Sequence, residues 1–167
     1  MFYLVHPYRW LWVALFSAAG LLAAAHAFET FGHLPPCELC LHQREVYWTA
    51  AGVALATIML GRFMAREQLA RFGCIVLALV FLGEAGLAAY HAGVEWKWWP
   101  GPAACTGRGT GHVSLSDLKA FATGARYNVV RCDEAAWRFL GLSMAGWNVL
   151  IALKLAILSA VSSRRPV

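Results

Sequence analysis

The chain has 167 residues, of which 60% are hydrophobic and only 14% are charged, and its mean hydropathy is +0.55. This composition excludes an ordinary soluble domain and predicts a membrane protein that forms a single compact unit. The formal net charge of +5 does not indicate nucleic-acid binding, because basic residues commonly flank membrane spans and no basic cluster here is interleaved with aromatic side chains.

Four apolar segments follow one another along the chain, and each is near the roughly 20 residues that a helix needs to cross the hydrocarbon core. No alternation with a period of two indicates a barrel. We therefore predict an all-α fold, a four-helix transmembrane bundle with a long outer loop that carries a short amphipathic helix. The predicted spans are 10–28, 44–60, 72–90 and 142–162, the outer loops are 29–36 and 92–141, and the inner loop is 61–71.

The first span also has features of a secretory signal peptide. Arg9 precedes an apolar run that ends near Ala25-His26-Ala27, which fits an A-x-A cleavage site. The run is long for a signal peptide, and Trp10 and Trp12 stand where aromatic residues mark the membrane interface. We therefore predict that this segment is retained as a span.

Basic residues near the span ends predict the orientation of the bundle. Three arginines lie in or beside the inner loop, one precedes the first span and two follow the last, so all are on one side of a four-span topology. The long outer loop also carries Lys and Arg, but at lower density. By the positive-inside rule, both termini are predicted to be cytoplasmic. The arginines are Arg9, Arg62, Arg66, Arg71, Arg164 and Arg165.

A C-x-x-C motif, Cys37 and Cys40, lies at the outer end of the second span. Proline is favoured in the first turn of a helix, so we predict that the second helix begins at Pro35 or Pro36. Cys37, Cys40 and Arg44 would then share one face. The helix N-terminus and the Arg44 charge favour a thiolate, which indicates redox chemistry. A structural disulfide and half of a zinc site are the alternatives for this motif.

The long outer loop contains two further cysteines. Cys105 lies in the turn-rich segment 101–107 and is predicted to be exposed on flexible backbone, whereas Cys132 leads into the fourth span. Segment 114–121 has capping residues before apolar residues at helical spacing, which predicts a short amphipathic helix on the membrane surface or on the bundle ends.

The predicted topology separates the cysteines into two groups. Cys37 and Cys40 lie on the outer side together with Cys105 and Cys132, and two pairs on that side predict two disulfides in an oxidising compartment. Cys74 lies alone near the inner end of the third span, so we predict a small buried apolar residue.

Three motifs are informative when taken together: C-E-L-C-L-H-Q-R at 37–44, P-G-P-A-A-C at 100–105 and V-R-C-D-E-A-A-W-R-F-L-G-L-S-M-A-G-W-N at 130–148. Over essentially the whole chain, these motifs and the cysteine layout resemble the DsbB family of disulfide bond formation proteins. The resemblance implies a bacterial inner-membrane enzyme, a protein-dithiol:quinone oxidoreductase. Such an enzyme reoxidises a DsbA-like periplasmic thiol oxidase and passes two electrons to ubiquinone or menaquinone, a relay known to keep the periplasm oxidising.

The resemblance also implies catalytic roles for four cysteines. A partner thiolate would form a mixed disulfide with Cys105, which releases Cys132. Cys132 would then attack Cys37 and leave Cys40 as a thiolate that faces the quinone.

Two further residues are predicted to bind the quinone. Arg44 would stabilise the Cys40 thiolate and the quinone oxygens, and the alternative is an arginine that extends to the membrane interface. His91, at the outer end of the third span, could donate a proton to the reduced quinone, or it could be an interfacial histidine without a special role.

Other functions remain open from the sequence alone. One is a related redox protein of the vitamin-K-epoxide-reductase type, and another is a structural zinc site built from His33, His112 and the outer cysteines, although their large separations argue against a metal. A small transporter would use Glu84 as its ion-coupling carboxylate. Instead, we predict that Glu84 and Lys154, at similar depths in the third and fourth spans, form an ion pair.

Overall fold

The computed structural model describes residues 6–63, 66–102 and 131–165. Within these ranges the chain forms one bundle of four helices and one short hairpin, and α3 packs most extensively against α4. Cys105 and the predicted amphipathic helix at 114–121 lie outside the described residues. The elements are α1 Pro7–Thr30, α2 Glu38–Leu60, α3 Arg66–Glu95, β1 Arg138–Phe139, β2 Leu142–Ser143 and α4 Met144–Ser163.

The helices are those of a membrane protein, which confirms the predicted fold class. In the described part of the chain, α1, α3 and α4 are long and apolar enough to cross a membrane. The remaining helix, α2, has 23 residues and would also reach across the hydrocarbon core, but Glu38, Arg44 and Glu45 lie at its N-terminal end. Helix α2 packs against both α1 and α3. The C-x-x-C motif lies at the polar N-terminal end of α2.

Small side chains line the interfaces between the helices. In lipid there is little hydrophobic drive for helices to associate, so close approach of their backbones and van der Waals contact hold the bundle together. Cys74 belongs to this core as predicted: it is fully buried, and its thiol lies 3.6 Å from the Pro7 carbonyl oxygen. The buried alanines of the core are Ala14, Ala18, Ala50, Ala54, Ala70 and Ala156.

Helix α3 ends in a turn that folds the aromatic segment back onto it. Lys97 has a positive φ of 61°, and the Trp98 main-chain N–H donates to the Gly93 carbonyl oxygen at 2.9 Å. The Trp99 indole then stacks on Tyr90 and occupies the space that a side chain at Gly93 would need. The tryptophans of this segment therefore gather at the end of the bundle where α3 terminates, a position in which amphipathic rings suit a membrane interface.

A two-stranded hairpin precedes α4, where the sequence predicted the first turn of the fourth span. Strands β1 and β2 pair antiparallel through Leu140 and Gly141, both with positive φ, as a tight two-residue turn requires. The Ser143 hydroxyl then accepts a main-chain N–H from the first turn of α4, so the helix begins at Met144 rather than at residue 142.

The predicted ion pair between Glu84 and Lys154 is wrong. Glu84 is fully buried and accepts a hydrogen bond from the Asn148 amide at 2.6 Å, whereas Lys154 is exposed on the outer surface of α4. No ion pair joins the two among the described residues. A neutral amide satisfies the buried carboxyl, because Asn148 faces α3 and Lys154 lies on another face of the same helix.

Candidate active site

The C-x-x-C motif lies at the N-terminus of α2. The helix begins at Glu38, not at Pro35 or Pro36, because Cys37 is the N-cap residue and has an extended conformation. Its sulfur accepts the main-chain N–H of Cys40 at 3.3 Å, and this contact satisfies one of the unpaired donors of the first turn. Both sulfurs are therefore close to the positive end of the helix dipole.

The two sulfurs face each other as a dithiol. Cys37 Sγ and Cys40 Sγ are 2.8 Å apart, and both residues are free cysteines. The hydrogen bond from the Cys37 thiol lowers the pKa of Cys40, and the positive charge of Arg44 adds to this effect, while burial and Glu95 oppose it. The pKa of Cys37 is raised by the same hydrogen bond and by burial. Cys40 is therefore the sulfur that ionises first.

Arg44 is held in place by helix α1. Its guanidinium donates to the Glu29 carboxylate and, at 3.1 Å, to the Ala25 carbonyl oxygen. The Arg44 side chain is only 14% exposed. The snorkelling alternative would leave the head group in water, so these contacts favour a fixed charge beside Cys40.

His91 reaches the same place from α3. It is 4% exposed, so it is a buried histidine and not an interfacial one. Its Nε2 atom is 3.7 Å from Cys37 Sγ and 3.8 Å from a Glu95 carboxylate oxygen, and its Nδ1 atom is 3.0 Å from the Gln43 amide nitrogen. The sequence placed His91 near a quinone, whereas the structure places it directly against the Cys37 sulfur.

Cys132 lies close to this group. It is 1% exposed, it packs in one buried cluster with Cys37 and Val94, and it is disulfide-bonded. Its main-chain carbonyl is also a hydrogen-bond partner of His91. Cys105, the fourth predicted cysteine, lies outside the described residues. Of the two predicted outer disulfides, the one between Cys37 and Cys40 is not formed in this structure, where the two residues are a dithiol.

A cavity of about 240 Å³ opens beside the dithiol, and residues of all four helices line it. Its walls are largely apolar, with Leu22, Phe28 and Ile151 among them. A concave apolar site with a few convergent polar groups is typical of small-molecule binding. The polar side chains of the cavity include Cys37, Cys40, Gln43, Arg44, His91 and Asn148.

The zinc alternative fits this geometry poorly. Cys37, Cys40 and His91 have their ligand atoms within 4.8 Å of one another, so they are the one candidate metal group in the described ranges. Two thiolates on a tetrahedral zinc with bonds of about 2.3 Å stand roughly 3.7 Å apart, which exceeds the 2.8 Å between these sulfurs. His33 is exposed and outside the group, and His112 lies in the undescribed segment.

Comparison with known proteins identifies a family with the same cysteine chemistry. Residues 8–162 match the family model described as Disulfide bond formation protein DsbB. The chain belongs to the DsbB family. Disulfide bond formation protein B of Xanthomonas campestris pv. campestris (strain 8004) is 32% identical over 161 residues, which cover 92% of this chain and 91% of that protein. The protein of the same name from Methylococcus capsulatus is 35% identical over 156 residues, covering 87% and 86%.

Membership of the DsbB family makes this chain a membrane protein of disulfide bond formation, with the role of a disulfide-forming oxidoreductase. The family resemblance stated from the motifs is therefore confirmed. The structure brings Cys37, Cys40, Arg44, His91 and Cys132 to one end of the bundle.

Sequence reasoning missed four polar residues around the DsbB dithiol. Glu29 binds Arg44, Glu95 lies beside His91, and Gln43 and Asn148 join His91 to the bundle interior. Gln43 had a usable signal, because it is at i+3 from Cys40 on the same helix face. The others are distant in sequence from the motif, and only the helix packing brings them to it.

The ionisation order of the two thiols gives a testable prediction. In the reduced protein, the alkylation of Cys40 should have its midpoint at lower pH than that of Cys37, because the thiolate is the reactive form and Cys40 has the lowered pKa. Labelling with iodoacetamide between about pH 5 and pH 9, followed by peptide mass spectrometry, measures the Cys40 midpoint and shows whether Cys37 remains unlabelled over the same range. Arg44→Ala should raise the Cys40 midpoint. The reverse order, with Cys37 labelled first, would contradict this account.

Proposed function

We propose that this protein is a thiol:quinone oxidoreductase of the bacterial inner membrane. It reoxidises a DsbA-like periplasmic thiol oxidase and passes two electrons to the membrane quinone pool. The observation that carries the proposal is the dithiol of Cys37 and Cys40, with sulfurs 2.8 Å apart, at an apolar cavity that Arg44 also lines. The redox cysteines lie on the periplasmic side and both termini in the cytoplasm, as the distribution of arginines predicts.

The exchange sequence begins in the outer loop. The reduced partner attacks with a thiolate, and Cys105 forms the mixed disulfide, which releases Cys132 as a thiolate. Cys132 then attacks the Cys37 sulfur of the Cys37–Cys40 disulfide. The Cys37–Cys40 bond breaks, and its electron pair moves to Cys40. The burial of Cys132 in one cluster with Cys37 supports this step, because both residues pack in the same part of the bundle.

Cys40 is suited to carry the negative charge. The helix N-terminus and the guanidinium of Arg44 stabilise its thiolate, and the hydrogen bond from Glu29 keeps that guanidinium in position. The site residues fit a quinone, because apolar walls suit the ring and Arg44 supplies donors for its oxygens. When bound, ubiquinone or menaquinone accepts the two electrons and takes up two protons.

An anaerobic assay tests the proposed function. The purified protein is mixed with a quinone and a reduced thioredoxin-like dithiol, and quinol is followed by absorbance. Quinol should form only when protein, dithiol and quinone are all present. Oxidation of the dithiol without quinol, or quinol formation at the rate of the mixture without protein, would contradict the proposal.

A further inference from the structure

A chain of buried polar side chains leads from the Cys37 sulfur into the membrane bundle. His91 Nε2 contacts Cys37 Sγ at 3.7 Å, and His91 Nδ1 lies 3.0 Å from the Gln43 amide nitrogen. The Asn148 amide nitrogen then donates to Gln43 Oε1 at 2.8 Å and to Glu84 Oε1 at 2.6 Å. The chain crosses α2, α3 and α4, and its far end is fully buried. Ionisable residues at such positions are costly, and they mark function more often than packing.

The carboxyl at the inner end sets the direction of the hydrogen bonds. As a carboxylate, or through the carbonyl oxygen of the neutral acid, Glu84 accepts, so Asn148 presents its NH₂ group. The second N–H of the Asn148 amide donates to the Gln43 side-chain oxygen, so this oxygen faces Asn148 and not His91. Gln43 must then turn its own NH₂ towards His91. The Tyr47 hydroxyl donates to the Asn148 oxygen and fixes the amide in this orientation.

This direction determines which ring nitrogen of His91 carries the proton. Nδ1 accepts from Gln43, so the single proton of the neutral ring is on Nε2, which lies 3.7 Å from Cys37 Sγ and 3.8 Å from a Glu95 carboxylate oxygen. The Cys132 carbonyl is a further hydrogen-bond partner of the ring, so this proton lies among acceptors that surround the Cys37 sulfur. We propose that Glu84, Asn148 and Gln43 are positioning residues that hold His91 in the Nε2–H tautomer and so direct a hydrogen-bond donor at the Cys37 sulfur. The same tautomer removes the lone pair that a metal ion would need at Nε2.

The inference rests on the proposed function for its role in turnover. In that relay, the second thiolate of the partner attacks the partner's own sulfur in the mixed disulfide, which oxidises the partner and releases Cys105 as a thiolate. The Cys105 thiolate then attacks the Cys132 sulfur of the Cys132–Cys37 bond to restore the loop disulfide. The Cys132–Cys37 bond breaks, and its electron pair moves to the Cys37 sulfur. An N–H donor from His91 at that sulfur stabilises the departing thiolate, whereas a ring lone pair would repel it.

Nitrogen NMR of protein labelled with ¹⁵N-histidine tests the tautomer directly. The chain has 6 histidines, and the signals missing from a His91→Gln spectrum identify those of His91. The wild-type ring should be protonated at Nε2 and bare at Nδ1. Gln43→Glu replaces the donor at Nδ1 with an acceptor, so Nδ1 should gain a proton in that variant. A wild-type ring protonated at Nδ1 overturns the proposal, as does an Nδ1 that stays bare in Gln43→Glu.

Substitutions of Glu84 test the remote end of the chain, because Glu84 is connected to the His91 ring only through Asn148 and Gln43 in the proposed scheme. Glu84→Leu removes the acceptor and should give a mixture of His91 tautomers and a rate of dithiol-dependent quinone reduction about tenfold lower, the effect of losing one hydrogen bond to a charged group. Glu84→Gln keeps an acceptor oxygen and should restore both the tautomer and the rate.

Ser159→Ala is the matched structural control. It removes a buried hydrogen bond from Trp10 elsewhere in the same bundle, at 2.8 Å, and should change neither the tautomer nor the rate. If His91 of Glu84→Leu remains protonated at Nε2 alone, as in the wild type, the proposal is overturned. If Glu84→Leu does not fold, the spectrum of Gln43→Glu decides between the two outcomes. The spectra need neither partner nor quinone. If His91 has the expected tautomers but no quinol forms, the result contradicts the proposed relay and leaves the tautomer assignment standing.

Discussion

Replacing Cys105 with serine should reduce dithiol-dependent quinone reduction by at least about a hundredfold, to the uncatalysed background. The partner thiolate would then lack the loop disulfide, and the remaining sulfurs are poor targets, since Cys132 is 1% exposed, Cys37 is 5% exposed and Cys40 is partly buried. Cys37, Cys40 and Cys132 should each be equally necessary. Steady-state quinol formation with a reduced dithiol partner measures all four variants.

Cys74→Ser is the matched control for these variants. Cys74 is fully buried in the N-terminal part of α3, and a serine hydroxyl can keep its contact with the Pro7 carbonyl oxygen. Its activity should stay within about twofold of the wild type, because it takes no part in exchange. Full turnover in Cys105→Ser would rule out the relay in the order proposed.

The second large effect is expected at Arg44. Arg44→Ala should raise the apparent KM for quinone by about tenfold to a hundredfold and slow the exit of electrons, because it removes the fixed charge beside Cys40. Exchange between the loop cysteines and the partner should be unaffected. Arg44→Lys should recover only part of the loss, since a lysine cannot reproduce the two contacts to Glu29 and Ala25.

Glu29 provides the control for this experiment. In Arg44→Ala the Glu29 carboxylate loses its partner, and its charge alone could disturb the cavity. Glu29→Gln keeps an acceptor for Arg44 without the charge, and combining it with Arg44→Ala separates the two effects. The double variant should retain the quinone defect of Arg44→Ala. An unchanged apparent KM for quinone in Arg44→Ala would show that Arg44 does not bind the substrate.

Local patterns in the sequence were enough for the helices and for the core of the site. Long apolar runs predict helices in a membrane whatever their neighbours, because every backbone polar group must be satisfied within the segment. The spacing of Cys37, Cys40 and Arg44 likewise depends only on the geometry of one helix. The start of α2 was predicted at Pro35 or Pro36 because proline is common in the first turn of a helix. The helix instead begins at Glu38, because Cys37 is its N-cap residue.

Features that depend on contacts distant in sequence could not be predicted. Leu140 and Gly141 form the hairpin turn, although Leu is a poor residue for a positive φ and gives no turn signal. The pairing of Glu84 with Lys154 was predicted only from their similar depth in the membrane. The face of α4 that contacts Glu84 carries Asn148 and not Lys154. His91 looked interfacial because its burial comes from Gln43, Cys37 and the segment around Cys132.

A stoichiometric anaerobic titration tests the central claim most directly. Limiting amounts of reduced dithiol partner are added to the protein with excess quinone, and the partner disulfide and the quinol are both quantified. Electrons that pass from the partner through the cysteines to the quinone must give one quinol for each disulfide formed. Partner disulfide that accumulates without an equal amount of quinol would contradict the account.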